Sequence, residues 1–551
     1  MNRRIGYLAV AVALSCAVAI AAPTGPDPLV ARAGVAVVDT VAGKVQGFIH
    51  RGIYTYRGIP YAHAARFMPP EAPAHWDGVR TTLTYGHICP MTLPDELDDA
   101  REFLGPHRYG LPSDNCQNLN VWTPSITPSE GKPRPVMVWF HGGGFTNGSS
   151  IEQVAYDGEA LSRAGDVVVV SVNHRLNVGG FLDLSAYGPQ FRYSGNLGIL
   201  DLVASLRWVR DNIARFGGDP GNVTIFGQSG GGGKVTTLLA TPAAKGLFHK
   251  AIIESGSMPG MGMTLVDPHT SRHVAELTLK NLGLDATQVD AAQLQRLQSL
   301  PYAQLIEASS KALKAVGDEQ GVRGLFGGGI SWAPVVDGDY IPANPFEGSA
   351  PAQSADVPLL VGTTLNEFPM ADFAPRTIGH RGWSTEQRSA YFREKYGEQA
   401  TAVEAAYAQA YPGMKPADWL AVDSLFRPGA LATAQLKSDQ HAAPVYLYLF
   451  SWTSPVLDGM GGAMHCAEIP FAFHNVAITE QSSGGGPGAL AMERKVSSAW
   501  INFARSGNPN HPGLPGWPAY TRANGATMIL DERSEVRFHH DDRLMELLQK
   551  H

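Results

Sequence analysis

The feature that most constrains the fold of this chain is a series of short apolar runs. Each run is too short for a helix, and the first three end in turns rich in Gly or Asn. Between the second and third runs, Leu197–Phe216 carries apolar residues at helical spacing, and the order strand, helix, strand predicts a parallel crossover unit. We expect the runs to be buried strands of one large mixed sheet: Val136–Phe140, Val167–Val172, Val223–Phe226, Lys250–Glu254, Pro358–Gly362 and Val445–Phe450.

The remaining segments are predicted to surround this sheet. Val35–Phe48 and Tyr54–Ile59 combine β-branched and aromatic residues and predict an antiparallel hairpin region. Two stretches, about 265–320 and 370–440, are rich in Ala, Leu, Gln and Glu at helical spacing, and we expect helical insertions that form a lid or cap. No repeat or linker divides the chain, so we expect one α/β domain over 23–551, with a mostly parallel sheet and helices on both faces.

The first 22 residues have the order of a secretory signal peptide. Arg3 and Arg4 precede an apolar stretch from Leu8 to Ile20, and small residues precede Pro23. A membrane anchor is the alternative, but the apolar stretch is only marginally long enough to span a bilayer and polar residues dilute it. We therefore expect cleavage, a secreted or periplasmic protein, and no stable membrane insertion afterwards.

The cysteines fit an exported protein. Lipid attachment at Cys16 is a weaker alternative to cleavage, because the residues before it match a lipidation signal poorly. Cys89 and Cys116 close a loop of moderate length, and in an oxidising compartment this favours a disulfide over two free thiols. Cys466 is expected to be a small buried side chain rather than a catalytic thiol.

Charge and metal-ligand spacing exclude several classes of partner. The formal net charge is −7, and the chain has no basic run that could follow a phosphate backbone. Both observations argue against binding to nucleic acid. No His, Cys or Asp cluster has metal-ligand spacing, so we expect neither a metal nor another cofactor.

The run Val223–Phe226 leads directly into Gly227-Gln228-Ser229-Gly230-Gly231, which matches G-x-S-x-G at a strand-to-helix turn. Neighbours without a Cβ allow the sharp turn that exposes a serine hydroxyl above the sheet. The motif alone is weak in a chain with 61 Gly. A phosphate-binding loop fits badly, because Val235 follows Lys234 where Ser or Thr is required, and a dinucleotide fingerprint lacks its acidic partner. We therefore predict that Ser229 is a nucleophile.

A second Gly-rich turn follows Val136–Phe140. In His141-Gly142-Gly143-Gly144-Phe145, consecutive glycines can turn backbone N–H groups toward one point, as an oxyanion hole requires. The alternative is a tight turn without catalytic function. We expect Gly143, Gly144 and Gly230 to supply the donors.

A nucleophilic serine near neutral pH needs a base, and the base needs a carboxylate. Glu367 follows the run Pro358–Gly362, and His465 follows Val445–Phe450 in a Gly-rich loop. Nucleophile, acid and base in this order are typical of the α/β-hydrolase fold. Spacing alone leaves His474 open as a rival base, since the chain has 18 His.

Several motifs together resemble the type-B carboxylesterase family, which includes bacterial para-nitrobenzyl esterases and, more distantly, cholinesterases. The resemblance covers most of the chain after residue 22 and implies a Ser229, Glu367 and His465 triad, a Cys89–Cys116 disulfide and an α/β-hydrolase fold. It also disfavours His474. The motifs are Arg57–Ala62, Ser113–Cys116, Leu119–Val121, His141–Phe145, Asn173–Leu176, Phe216–Gly231, Pro334–Gly338, Gly362–Glu367, Glu468–Phe471, and Trp500 with Phe503.

Three positions depart from the family pattern. Gln228 and Gly230 replace the Glu and Ala that often flank the nucleophile, and Phe368 replaces a Gly after the acidic residue. The segment between Cys89 and Cys116 contains no Trp for a choline group, so we do not expect choline esters as substrates.

The resulting hypothesis is a serine carboxylesterase that cleaves small-molecule carboxylic esters through an acyl-enzyme. One alternative is a binding protein on the same fold, but such relatives have lost the nucleophile and this chain has all three triad residues. The other is a lipase that acts at an oil–water interface, with the helical insertions as its lid. The sequence leaves acyl and alcohol specificity and oligomeric state open.

Overall fold

The structure is a computed structural model that describes residues 29–93, 99–128, 131–257, 265–322, 330–368 and 383–549. The expected signal peptide, residues 1–22, lies outside the described residues, as does 370–382 of the second predicted helical stretch. In the described part of the chain, no helix is both long and apolar enough to cross a membrane.

Strands form one large and one small sheet. The large sheet has 11 strands in the order β14-β13-β12-β11-β10-β9-β7-β8-β6-β4-β3, and the small one has the order β1-β2-β5. The strands are β1 (Val37–Thr40), β2 (Gly43–Gln46), β3 (Phe48–His50), β4 (Ile53–Pro60), β5 (Val79–Thr81), β6 (Asn118–Thr123), β7 (Arg134–Phe140), β8 (Val168–Val172), β9 (Gly218–Gln228), β10 (Lys250–Glu254), β11 (Leu359–Thr364), β12 (Val445–Phe450), β13 (Ala526–Leu530) and β14 (Glu535–Phe538).

From β8 to β13 in the order of the large sheet, the strands are parallel to one another. The pairs β13–β14, β8–β6, β6–β4 and β4–β3 are antiparallel. All six predicted buried runs are confirmed as strands. The predicted crossover is also confirmed, with β7 inserted between β8 and β9. The predicted antiparallel hairpin region at the N-terminus is confirmed, and it forms two hairpins, β1–β2 in the small sheet and β3–β4 in the large one.

Helices cover both faces of the large sheet. Alternate residues of β7 divide between two apolar cores: Val136, Val138 and Phe140 in one, Met137 and Trp139 in the other. The helices are α1 (Asp99–Leu104), α2 (Glu159–Gly165), α3 (Asn177–Phe181), α4 (Leu197–Asn212), α5 (Gly230–Ala240), α6 (Pro268–Asn281), α7 (Ala291–Ser299), α8 (Tyr302–Gln320), α9 (Thr385–Tyr396), α10 (Ala400–Ala410), α11 (Arg427–Ser438), α12 (Ile469–Ala472), α13 (Glu480–Ser483), α14 (Pro487–Ser506) and α15 (Asp542–Leu548).

The first core contains side chains of α4, α5, α11 and α15, and the second contains side chains of α2, α12 and α14. The helices α6 to α8 and α9 to α10 occupy the two stretches expected to be insertions. The last helix of the second stretch, α11, packs directly against β11 and β12, so it belongs to the layer that covers the sheet.

Candidate active site

Ser229 occupies the sharp turn between β9 and α5. Its backbone has φ 57° and ψ −124°, a conformation that L-residues rarely adopt, and its side chain is half-buried. A Cβ on Gly231 would lie 2.0 Å from the backbone oxygen of Phe140, so only glycine fits where α5 begins. Two backbone hydrogen bonds fix the position of Ser229. Its N–H donates to the oxygen of Glu254 at 2.8 Å, and its carbonyl oxygen accepts from Gly233 N–H at 2.9 Å.

The loop after β7 lies against this turn. Gly143 and Gly144 have φ values of 79° and 62°, and a Cβ on Gly143 would lie 2.4 Å from the oxygen of Asn147. A Cβ on Gly230 would lie 2.3 Å from the nitrogen of Gly144, so the loop and the start of α5 are in close contact. The N–H groups of Gly143, Gly144 and Gly230 donate no hydrogen bond to any residue that the structure describes.

Glu367 and His465 meet because they follow the adjacent parallel strands β11 and β12. His465 Nδ1 is hydrogen-bonded to Glu367 Oε2, and the backbones of the two loops also pair. Glu367 is 1% exposed, and its Oε1 accepts from Thr364 N–H at 2.9 Å and from Ser255 Oγ at 2.6 Å. These contacts fix one carboxylate oxygen and leave the other to orient the imidazole.

Two rings and an amide surround the His465 imidazole. The rings of Phe368 and Phe426 lie 4.3 and 5.2 Å from it, centroid to centroid. Gln228 Nε2 lies 3.3 Å from both imidazole nitrogens, and Gln228 Oε1 accepts from Cys466 Sγ at 3.1 Å. Among the described residues, no hydrogen bond joins Ser229 Oγ to His465, and the neighbouring Gln228 contacts the ring instead.

The rival base, His474, lies elsewhere. Its Nδ1 is 3.0 Å from Ser497 Oγ, and its Nε2 is 3.5 Å from Glu493 Oε2 on α14. The structure therefore brings His465, and not His474, to Glu367.

Buried acids surround the Glu367 carboxylate. Burial raises the pKa of Glu254 to about 7 and, together with the charge of Glu367, the pKa of Asp423 to about 7. Burial raises the pKa of Glu468 well above its ordinary value, and neither of its oxygens has a hydrogen-bond partner among the described residues. Raised pKa values reduce the negative charge around Glu367 near neutral pH.

Cys89 and Cys116 form a disulfide, and both are buried beside Leu176. Cys466 is free, and burial with nearby Glu468 raises the pKa of its thiol well above the ordinary value. A thiol with a raised pKa is a poor nucleophile near neutral pH. No group of three or more His, Cys, Asp or Glu side chains in the described ranges could hold a metal ion.

Sequence comparison assigns the chain to a family. Residues 34–547 match the model of the carboxylesterase family. The chain belongs to the carboxylesterase family. It is 35% identical to para-nitrobenzyl esterase of Bacillus subtilis strain 168 over 92% of this chain and 96% of that one. It is 32% identical to phenmedipham hydrolase of Pseudarthrobacter oxydans, over 91% of this chain and 96% of that one.

Solved structures agree with this family and with the fold. An esterase of Clostridium hathewayi, described as able to hydrolyse aliphatic aromatic polyesters, superposes with a TM-score of 0.82 at 39% identity, covering 94% of this chain and 98% of that chain. This carboxylesterase therefore has the expected α/β-hydrolase fold and is a carboxylic ester hydrolase, an enzyme class whose substrates are small-molecule esters.

Sequence reasoning missed two neighbours of the candidate triad in this carboxylesterase. Ser255 directly follows β10, between the strands that lead to Ser229 and Glu367, and the carboxyl ends of parallel strands share one edge of the sheet. Its position at that edge could have indicated Ser255 as a neighbour of the candidate triad. No local sequence pattern predicts the contacts of Gln228 with His465 and Cys466, because these contacts depend on how two segments distant in sequence pack together.

Proposed function

We propose that Ser229, His465 and Glu367 form the catalytic triad of this carboxylesterase, with Gly143, Gly144 and Gly230 as oxyanion donors. The observation that carries the proposal is the Glu367–His465 hydrogen bond beside the strained turn that exposes Ser229. The N–H groups of the three glycines, which have no other partner in the described part of the chain, support the second assignment.

In the first half of the reaction, Ser229 Oγ attacks the ester carbonyl carbon while His465 Nε2 takes the hydroxyl proton. The carbonyl oxygen becomes an oxyanion that accepts hydrogen bonds from the glycine N–H groups. When the bond to the alcohol breaks, His465 returns its proton to the leaving oxygen. Glu367 stabilises the imidazolium and holds the tautomer that leaves Nε2 free.

In the second half, water attacks the acyl-enzyme, with His465 again taking a proton, and the acid leaves as Ser229 regains its hydrogen. The contact between Gln228 and His465 must give way to one between Ser229 Oγ and Nε2. Such contacts often tighten only when substrate is bound.

The test compares hydrolysis of p-nitrophenyl esters, from short to long acyl chains, by the wild type and Ser229→Ala. We expect the wild type to turn over esters and the variant to lose about 10⁴-fold or more in kcat/KM. Ser205→Ala is the matched control, since Ser205 is a buried serine of α4 whose hydroxyl donates to Leu202 O at 2.7 Å. Near-wild-type turnover by Ser229→Ala would overturn the triad, and a folded wild type without esterase activity would favour a binding protein.

We also propose that the chain is exported as a single domain over 23–551, with α6 to α8 and α9 to α10 as a cap. The Cys89–Cys116 disulfide supports export, because such bonds persist in oxidising compartments. N-terminal sequencing of the exported protein should place the first residue near Pro23. An intact N-terminus in the membrane fraction, or a lipid on Cys16, would contradict cleavage.

A further inference from the structure

Lys234 is a fully buried ammonium group that the triad mechanism does not use. It lies on α5, directly beneath the glycine loop, and is 0% exposed. Its Nζ donates to the backbone oxygen of His141 at 2.7 Å and to that of Gly142 at 3.3 Å. Removing a cation from water is costly unless it is well bonded, so this Lys needs a structural or functional reason.

The bonded carbonyls belong to the loop that carries the candidate oxyanion donors. In a trans peptide the C=O and the N–H point in opposite directions. The oxygen of Gly142 and the N–H of Gly143 belong to the same peptide. When Lys234 holds that oxygen, the Gly143 N–H is directed away from Lys234.

The two other candidate donors are anchored in the same way. The Gly144 N–H shares its peptide with Gly143 O, which accepts from Asn147 N–H at 2.9 Å. The Gly230 N–H shares its peptide with Ser229 O, which accepts from the N–H of Gly233 at 2.9 Å. Both of these anchors are backbone groups close in sequence. The oxygen of the Gly142–Gly143 peptide is instead contacted by two side chains, His141 Nδ1 at 3.0 Å and Lys234 Nζ at 3.3 Å, of which Lys234 comes from another element.

The surroundings of Lys234 favour this position. His141 Nδ1 is 3.0 Å from the oxygen of Gly142, the His174 ring stacks on His141 with centroids 5.0 Å apart, and the Phe145 ring centroid is 5.9 Å from Nζ. Burial lowers the pKa of Lys234 to about 7, with Glu152 opposing the shift, and the two buried imidazoles have lowered pKa values. The amine and the ammonium both donate, so the anchor persists in either state.

We propose that Lys234 is a positioning residue for the oxyanion hole, which holds the Gly142–Gly143 peptide with the Gly143 N–H toward the reacting oxygen. A hydrogen bond on the carbonyl also polarises the peptide and strengthens its N–H as a donor. This inference rests on the proposed roles of Ser229 and Gly143. It predicts that Lys234 acts on the transition state and much less on the bound ester.

The test is Lys234→Met, with Lys437→Met as its matched control. Lys437 is also a buried lysine that donates to two backbone oxygens, of Ser354 at 2.7 Å and Ala355 at 3.0 Å, but it lies on α11 and outside the proposed site. Each variant is assayed on p-nitrophenyl acetate, with active sites counted by burst titration. A trifluoromethyl ketone, which forms a tetrahedral oxyanion with a serine, reports on the hole.

For Lys234→Met we expect kcat per active site to fall about 30-fold or more, because removing an oxyanion donor outright lowers kcat by about 10² to 10³. KM should stay within about threefold of the wild-type value, and the affinity for the ketone should fall in parallel with kcat. Lys437→Met loses thermal stability and keeps kcat. The amide of Lys234→Gln can still donate to one carbonyl, so this variant should fold even if the Met variant does not. Its kcat and its ketone affinity should fall by the same factor as each other, and by a smaller factor than in Lys234→Met.

The inference is wrong if Lys234→Met keeps kcat per active site within about threefold, if Lys437→Met loses as much, or if Lys234→Gln changes KM rather than kcat. Ser229→Ala, measured alongside, separates this failure from that of the proposed function. An inactive Ser229→Ala beside a fully active Lys234→Met rejects only the role of Lys234, whereas an active Ser229→Ala rejects the triad itself.

Discussion

At the scale of single residues, Gly143 is a position where a methyl group should lower activity. An Ala there would be strained at φ 79° and its Cβ would lie 2.4 Å from Asn147 O, so the loop must move and its N–H must leave the oxyanion. We expect Gly143→Ala to lower kcat by about 10². Steady-state kinetics on p-nitrophenyl acetate measures this.

Gly246→Ala is the control, because Gly246 has nearly the same φ of 76° with no atom within 4 Å of a Cβ. It carries the same backbone strain without the collision, so kcat should not change. Equal losses of kcat in both variants would show that general strain, and not the oxyanion loop, causes the effect.

A second residue-scale prediction concerns Glu254, whose Oε1 accepts from Trp500 Nε1 at 2.8 Å. Because burial raises its pKa from 4.5 to about 7, the folded protein holds this proton more tightly than the unfolded chain does. Its contribution to stability is present below pH 4.5 and is lost as pH rises to about 7. Glu254→Gln keeps the acceptor and removes the charge.

The melting temperature of Glu254→Gln, relative to that of the wild type, should therefore rise between pH 5 and pH 8. Glu307→Gln is the control, because Lys311 lowers the pKa of its exposed carboxylate, which stays ionised across this range. A difference between Glu254→Gln and wild type that is constant with pH would contradict the raised pKa of Glu254.

At the scale of elements, β10 supports the proposed triad from between β9 and β11. Ser255, at its carboxyl end, donates to the Glu367 carboxylate at 2.6 Å in a site where Glu367 is buried. A hydrogen bond to a buried charge contributes about 1.5 to 3 kcal/mol, so we expect Ser255→Ala to lower kcat/KM about tenfold or more. Ser309→Ala on α8 removes a comparable buried hydroxyl and should not affect kcat/KM.

The elements that carry the site were predictable from the sequence. Buried parallel strands appear in a sequence as short apolar runs, and their carboxyl ends meet at one edge of the sheet. The residues after β9, β11 and β12 could therefore be expected at one edge of the sheet, whereas the choice of His465 over His474 needed the family resemblance. The two N-terminal hairpins could not be separated in this way, because the break depends on Gly47, where a Cβ would lie 2.2 Å from Thr55 O.

Side-chain partners were less predictable than elements. Gln228 touches His465 and Cys466, and Lys234 touches His141 and Gly142, across more than ninety positions of sequence in each case. Contacts of this kind depend on how loops pack after the sheet has formed. The local sequence around Lys234 could only exclude a phosphate-binding loop.

At the scale of the whole molecule, the Cys89–Cys116 disulfide should stabilise the folded chain. It joins residues 27 apart, and the chain-entropy account gives about 3 kcal/mol for a loop of this length. Replacing both cysteines by Ser should lower the free energy of unfolding in urea by that order. Reductant should then destabilise the wild type and leave the double variant unchanged, and a double variant as stable as the wild type would contradict this.

The site itself is a property of the whole chain, because its residues span Gly143 to His465 and are gathered only when the large sheet is complete. Its central element is the Ser229 turn, which carries the proposed nucleophile. This turn approaches the loop of the proposed oxyanion donors at Gly144, and the adjacent Gln228 contacts His465.

The most direct measurement is covalent labelling of the wild type with diethyl p-nitrophenyl phosphate, followed by peptide mass spectrometry. We expect one diethyl phosphoryl group per active chain, located on Ser229, together with loss of esterase activity in the same proportion. We expect His465→Ala to be labelled far more slowly. Inactivation with the label on another residue, or full activity with Ser229 labelled, would contradict the role of Ser229 as nucleophile.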